Sequence, residues 1–220
     1  MIMVPDGQMP AVATSAPNTY ASEPIPDAAR AEIDRLLSSG DLFRYTAAEG
    51  APVALLEQEF ADLLGTRYAL AVASCSAALF LSLKALDLPR GANVLIPAFT
   101  FAAVPSAVVH ADLTPVLVEV GDNYRVDMAD FAAKLDDAAA VLISHMRGHT
   151  SDMQAIMALC DARQIPVIED AAHSLAPRGM AAILAPSARS AVSAFNPTSW
   201  SMQARVALWS PTIRNWRRVA

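Results

Sequence analysis

Apolar residues follow two different spacings along the middle of the chain. Two stretches with helical spacing come first, at 28–37 and 53–64. Short β-favouring runs then alternate with longer helical stretches. The predicted strands are 68–73, 93–97, 115–120, 140–144 and 165–168, and the predicted helices between them are 76–86, 101–110, 128–135 and 151–163. Such alternation is typical of an α/β domain with a largely parallel sheet and helices on both faces.

The last predicted strand ends abruptly in two carboxylates. The apolar run 165–168 leads into Glu169 and Asp170, and His173 follows one turn later. Parallel sheets bind their ligands just beyond the carboxyl ends of the strands, so these side chains are candidates for a site. Two simpler interpretations stay open: Asp170 caps a following helix, and His173 is a structural histidine.

Two earlier strand ends carry further candidates. Ser74 and Ser76 lie among small residues where a strand gives way to a helix, a place where backbone N–H groups favour an anion. A serine before Ala-Ala, here Ser76, is more often only an N-cap. Thr100 and Phe101 follow the next strand, and Phe101 could either cover a flat ring or belong to the core. An anion site, an aromatic face and a carboxylate are together what pyridoxal phosphate (PLP) requires.

Several segments of the chain resemble the DegT/DnrJ/EryC1/StrS family of PLP-dependent sugar aminotransferases, over about residues 23–175. The matching segments are LEQEFADLLGTRYALAVASCSAALFLSL, IPAFTFAAVPSAV, ISHMRGHTSDMQAIMALC and IPVIEDAAHSL. The resemblance implies the large domain of a fold-type I aminotransferase, mostly a parallel sheet with helices on both faces, and incomplete at its C-terminal side.

The resemblance also implies roles for five residues. Cys75 and Ser76 stand where the family's SGTAAL motif places its phosphate-binding Gly-Thr, so Cys75 replaces a glycine. Phe101 matches the aromatic residue that stacks on the cofactor ring. Asp170 matches the acid at the pyridinium nitrogen, and His173 lies beside the ring's phenolic oxygen.

The family's Schiff-base lysine has no counterpart in this chain. Family members carry it about 25 to 30 residues after the EDAAH motif, where it binds the cofactor. The two lysines here, Lys84 and Lys134, both precede the motif, so no catalytic residue is predicted. A dehydratase branch of the family replaces the lysine by histidine, but no histidine follows His173. That branch is therefore disfavoured.

The composition changes sharply after residue 175. All 22 acidic residues precede that point, while the remainder has six arginines and all three tryptophans. Codons read one base out of register can restore the family's continuation. The reading allows only Gln or a stop from Phe195-Asn196 and forces Ala from Met202-Gln203, and it places the lysine codon across Thr198 and Ser199. We therefore infer a lost base near the codons for Leu175 and Ala176; the alternative is a genuine module rich in Arg and Trp.

These patterns predict three parts: a mobile N-terminal arm at 1–22, a partial PLP-binding domain at 23–175, and an out-of-frame, poorly packed tail at 176–220. The family's small C-terminal domain is expected to be missing. A net charge of −6 and the lack of a basic stripe argue against nucleic acid. No apolar run approaches the roughly 20 residues of a membrane span, and no secretory signal is visible. Two distant cysteines indicate neither a disulfide scaffold nor a metal site. A cytoplasmic location is expected.

The resemblance implies an aminotransferase that moves an amino group from Glu or Gln to a keto sugar, often nucleotide-linked, or to a cyclitol. It also implies a homodimer. The chain itself is expected to be inactive without the lysine. The alternative function is that of a non-catalytic fragment that binds PLP weakly or associates with an intact relative.

Overall fold

The computed structural model describes residues 25–40, 42, 50–64, 66, 68–174 and 205–208. The chain divides into two compact units, and the first contains helix α1 (Asp27–Ser39). Gly40 ends this helix in the left-handed conformation, with φ of 70°, and its N–H donates to the Leu36 carbonyl oxygen at 3.1 Å. Glycine is suited to this place because it has no Cβ to clash. The predicted helix at 28–37 is thus confirmed.

The second unit alternates strands and helices as the sequence predicts. Its elements in chain order are α2 (Pro52–Leu64), β1 (Ala69–Val72), α3 (Cys75–Ala85), β2 (Asn93–Pro97), α4 (Ala103–His110), β3 (Thr114–Val118), α5 (Met128–Lys134), β4 (Ala140–Ser144), α6 (Met153–Arg163), β5 (Val167–Asp170) and β6 (Arg205–Leu208). The predicted bounds differ from these by one or two residues at most ends. Two single 3₁₀ turns, Leu135–Asp137 and Met146–Gly148, complete the described elements.

Four strands form a parallel sheet in the order β3-β2-β4-β5. Side chains alternate between its two faces, and each face has its own core. Val94, Ile96 and Leu142 pack on the side of α3 and α4. Leu95 and Ile143 pack on the side of α5 and α6. Helices therefore cover both faces, as predicted, which leaves the carboxyl edge of the sheet as the place for a site.

Strand β1 lies outside this parallel sheet. It pairs antiparallel with β6, in a register that places Ala69 opposite Leu208. The alternation of elements does not indicate this, because strand pairing depends on which edge is reached in three dimensions rather than on sequence order. Strand β1 still matters for the site, since its carboxyl end leads directly into α3.

The predicted arm at 1–22 and the predicted tail at 176–220, apart from strand β6, fall outside the described residues. Within the described part of the chain, no helix combines the length and apolar character needed to cross a bilayer.

Candidate functional site

The start of α3 forms one wall of the candidate site. Ser74 has an extended backbone, with φ of −159°, and its Oγ accepts a hydrogen bond from the Ala77 N–H at 2.9 Å. Ser74 is therefore the N-cap, and Ser76, the serine before Ala-Ala for which the sequence pattern predicts that role, lies inside the first turn of the helix. Cys75 and Ser76 form the first turn, whose N–H groups have no acceptor within the helix. The helix therefore presents its positive end at this wall.

Asp170 ends strand β5 and is only 5% exposed. Its Oδ2 accepts a hydrogen bond from the Ser144 hydroxyl at 3.1 Å, and its Oδ1 accepts one from the Ala172 N–H at 3.1 Å. The Cys75 Sγ lies 3.8 Å from the same Oδ1. The capping interpretation was thus partly right: the carboxylate caps a turn at 172–174 rather than a helix, and it also faces α3.

Phe101 follows strand β2 and is 64% exposed. The interpretation that it belongs to the core is wrong, because α4 begins at Ala103 and Phe101 stays in the preceding loop. Val104, on the first turn of α4, is the residue that enters the core there. The Phe101 ring is accessible from the cavity of the candidate site, which it lines.

His173 is held through its ring and its backbone. Its Nδ1 accepts a hydrogen bond from the Arg147 N–H at 3.3 Å, so a neutral imidazole carries its proton on Nε2. The loop that provides this N–H is tightly wound, since Arg147 has φ of 54° and Gly148 has φ of 81°. A Cβ on Gly148 would lie 3.1 Å from the His173 carbonyl oxygen. Glycine is therefore favoured at this close approach, both by its positive φ and by the limited space.

All five predicted site residues line one cavity of about 270 Å³. They are Cys75, Ser76, Phe101, Asp170 and His173. The sequence-based prediction that these strand ends converge is confirmed by the geometry. Their role as cofactor ligands stays a prediction.

Sequence reasoning missed the end of strand β4. Ser144 and His145 also line the cavity, and Ser144 binds the Asp170 carboxylate directly. The signal was present, because a polar pair directly after a buried apolar strand is the same pattern that singled out Glu169 and Asp170. Thr100, another strand-end candidate, has a buried hydroxyl without a hydrogen-bond partner among the described residues.

The cavity has the features that PLP needs. A helix start accommodates a phosphate, a buried acid faces the interior, and an exposed aromatic ring borders it. Its volume is close to the lower end of ligand pockets, about 300 Å³. The Cys75 side chain is directed at Asp170, so its Sγ lies beside the acid that the cofactor nitrogen would use. The residues therefore fit PLP, which would be held by the start of α3, Phe101, Asp170 and His173.

The fold and this site define the large domain of a fold-type I aminotransferase. The crystal structure of 3-amino-5-hydroxybenzoic acid synthase has the same architecture, with a TM-score of 0.75 and 27% identity, over 90% of this chain and 52% of that chain. The DegT/DnrJ/EryC1/StrS aminotransferase family model matches residues 27–198. The chain belongs to this family of PLP-dependent aminotransferases, which includes enzymes of sugar biosynthesis.

Two curated relatives illustrate the family. The UDP-N-acetyl-3-dehydro-alpha-D-glucosamine 3-aminotransferase of Acidithiobacillus ferrooxidans is 38% identical over 54% of this chain and 33% of its own length. The putative pyridoxal phosphate-dependent aminotransferase EpsN of Bacillus subtilis is 32% identical over 60% of this chain and 36% of its own length. The chain thus spans about a third of the length of the curated relatives it matches.

The two cysteines are expected to react very differently with iodoacetamide. Burial, and next the charge of Asp161, raise the pKa of the Cys160 thiol to about 12, so at pH 8 it has almost no thiolate. Cys75 is only partly buried and lines the cavity. Mass spectrometry of the native chain should find Cys75 modified and Cys160 intact, and Cys75→Ser should remove the label. Preferential labelling of Cys160 would contradict this arrangement.

Substitution of Gly148 by alanine is expected to disturb the loop that holds His173. The left-handed backbone costs an alanine about 1 kcal/mol, and the 3.1 Å contact adds about 1 kcal/mol more. Gly91→Ala is the matched control, because Gly91 has φ of 78° but open space around its Cβ. Urea denaturation should show a larger loss of stability for Gly148→Ala than for Gly91→Ala. Equal losses would mean that the contact with His173 has no effect.

Proposed function

We propose that the cavity is the PLP site of a sugar aminotransferase that takes its amino group from Glu or Gln. The acceptor is a keto sugar, in nucleotide-linked form, or a cyclitol. The observation that carries the proposal is the buried carboxylate of Asp170 facing the same cavity as the start of α3 and the exposed ring of Phe101. PLP, when bound, supplies an electron sink for chemistry at the amino-bearing carbon.

Each side chain has a separate task in this proposal. Backbone N–H groups at the start of α3, with the Ser76 hydroxyl, bind the phosphate. Phe101 packs against one face of the ring. Asp170 keeps a proton on the ring nitrogen, since an anionic carboxylate favours the protonated partner. His173 donates from Nε2 to the phenolic oxygen, because its Nδ1 is occupied by the Arg147 N–H.

We further propose that the 220-residue chain binds PLP without a covalent link and does not turn over substrate. Neither lysine is among the residues that line the cavity. Lys84 lies in the last turn of α3, about 13 Å along the helix from Cys75 at 1.5 Å per residue. Lys134 donates from Nζ to Asp130 at 2.7 Å and to the Leu117 carbonyl oxygen at 2.9 Å. The proposed lysine codon, across Thr198 and Ser199, lies outside the described residues.

The proposed lost base is tested by the encoding DNA and by enzyme assay. Sequencing should show the family's continuation open in the neighbouring frame after the codon for Leu175. A chain with one base restored should transfer an amino group from glutamate or glutamine to a member of a keto-sugar panel that includes nucleotide-linked and free forms. If the corrected chain binds PLP but transfers no amino group to any acceptor, the aminotransferase proposal fails.

The tail at 176–220 is proposed to be an out-of-frame product rather than a functional module, although its residues 205–208 pair with β1 as strand β6. A segment that was never selected to pack offers its backbone to proteases. Brief trypsin digestion, followed by mass spectrometry, should remove the tail by cleavage at Arg178 or Arg189 before it cuts at Arg163 or Arg125, inside the folded unit. A tail that survives as long as the domain would favour a genuine module rich in Arg and Trp.

A further inference from the structure

Strands β4 and β5 end side by side, and two side-chain pairs join their last residues. Ser144 binds Asp170 at the cavity. The adjacent residues form the second pair, in which His145 Nε2 and Glu169 Oε1 lie 2.7 Å apart. Side-chain exposure is 0% for His145 and 2% for Glu169, so this pair is removed from water. The proposed function gives the second pair no role.

The hydrogen bonds around His145 define its protonation pattern. The Ser151 N–H donates to Nδ1 at 3.4 Å, so Nδ1 is an acceptor and the ring proton lies on Nε2. Nε2–H therefore donates to the Glu169 carboxylate. The backbone of the same histidine is also fixed, because its N–H donates to the Asp170 carbonyl oxygen at 3.1 Å. His145 thus holds both Glu169 and Asp170.

Stability is a poor explanation for this pair. A buried charged group loses its hydration, and well-packed apolar residues at such sites are often at least as stabilising. Polar pairs are retained more readily where they fix a geometry. Here Glu169 and Asp170 are consecutive residues of one strand, so their side chains point to opposite faces. Any rotation of the strand end that releases Glu169 also turns Asp170.

We propose that the His145–Glu169 pair is a positioning device that fixes the direction of the Asp170 carboxylate at the cavity. The expected effect of this pair on the cofactor nitrogen rests on the proposed function. The placement of Asp170 itself can be measured without any cofactor. The positioning role of the pair and the proposed cofactor contact can therefore fail separately.

Two substitutions of one residue separate the two ring contacts. His145→Gln places an amide donor near the position of Nε2, keeps the bond to Glu169 and loses the one from Ser151. His145→Asn places its amide near Nδ1, keeps the contact with Ser151 and loses the bond to Glu169. The proposal expects His145→Asn to release Asp170 and His145→Gln to leave it in place. The two variants match each other in polarity.

Cys75 reports on the position of Asp170, because its Sγ lies 3.8 Å from Oδ1. An anionic reagent, iodoacetate, is slowed by that carboxylate, whereas neutral iodoacetamide of similar size is not. The rate with iodoacetate divided by the rate with iodoacetamide measures the charge near Cys75. A general loosening of the structure speeds both reactions alike and leaves this ratio unchanged. Moving one unit charge away from about 4 Å should raise the ratio about fivefold. We expect this rise in Asp170→Asn and His145→Asn, and no rise in His145→Gln.

The second measurement is the preference for PLP over 1-deaza-PLP, which lacks the ring nitrogen, by equilibrium dialysis. The preference should fall about tenfold or more in His145→Asn, as in Asp170→Asn. A merely structural defect would weaken both ligands equally. Suppose that the alkylation ratio changes as expected while the parent chain shows no preference for PLP over 1-deaza-PLP. That result would support the positioning role of the pair and reject the proposed cofactor contact.

A double variant keeps the proposal testable if His145→Asn does not fold. His145→Phe with Glu169→Leu removes both polar groups together, so no buried charge is left unpaired. If His145→Asn fails to fold, this variant should still fold and should show the raised alkylation ratio. A folded double variant with the parent ratio would overturn the proposal, since apolar packing alone would then suffice to place Asp170.

Discussion

No PLP is expected to remain attached at a defined lysine when the 220-residue chain is mixed with the cofactor and reduced with borohydride. Borohydride traps PLP only where a lysine has already bonded to it, and neither Lys84 nor Lys134 lines the cavity. Turnover is expected to be lost as well, by at least about 10⁴-fold relative to the frame-restored chain. In that chain the proposed lysine would both hold the cofactor and move the proton. Mass spectrometry and an amino-transfer assay provide the two measurements.

The frame-restored chain is the positive control for this result. It should retain one cofactor at the new lysine, and replacement of that lysine by alanine should abolish both trapping and turnover. Adventitious labelling is recognised by Lys84→Arg and Lys134→Arg, which leave the cavity unchanged. Stoichiometric trapping at one site in the 220-residue chain would overturn the proposal that it lacks a cofactor-linking lysine.

Loss of the charge on Asp170 should weaken PLP binding about 10- to 100-fold. A hydrogen bond to a charged group contributes about 1.5 to 3 kcal/mol, and Asp170→Asn replaces the carboxylate by a neutral amide. The amide oxygen can still accept from the Ala172 N–H, so the turn should persist. Equilibrium dialysis against PLP gives the affinity, and urea denaturation gives the accompanying change in stability.

Asp152→Asn is the matched control for this substitution. Asp152 caps α6 by accepting from the Ala155 N–H at 3.0 Å, and it does not line the cavity. Asparagine is an equally good N-cap, so stability and PLP affinity should both be retained. Equal affinity of Asp170→Asn and the parent chain would remove Asp170 from the proposed site.

The alternation of β-favouring and helical segments could be interpreted correctly from the sequence because each element has its own apolar period. The ends were less certain. Phe101 was assigned to a helix that begins at Ala103, since apolar spacing continues across the turn while the backbone does not. The pairing of β1 with β6 was not foreseen for a different reason: the partner is far away in sequence, and no local pattern records which edge it joins.

For the candidate site as well, the sequence predicted some features and the folded structure decided others. Residue type and position just beyond a strand end were enough to select Ser76, Phe101, Asp170 and His173, because parallel strands bring their carboxyl ends to one edge. The family resemblance supplied their expected roles and drew attention to the missing lysine. These conclusions needed no coordinates.

Only the tertiary structure showed how Asp170 is held. The contact with Ser144 and the His145–Glu169 pair join residues that are 26 and 24 positions apart. No periodicity encodes such contacts, because they depend on the parallel register that places β4 beside β5. The sequence by itself determined the order of elements, the family and the identity of the strand-end residues. The register of the folded sheet decided which of them touch.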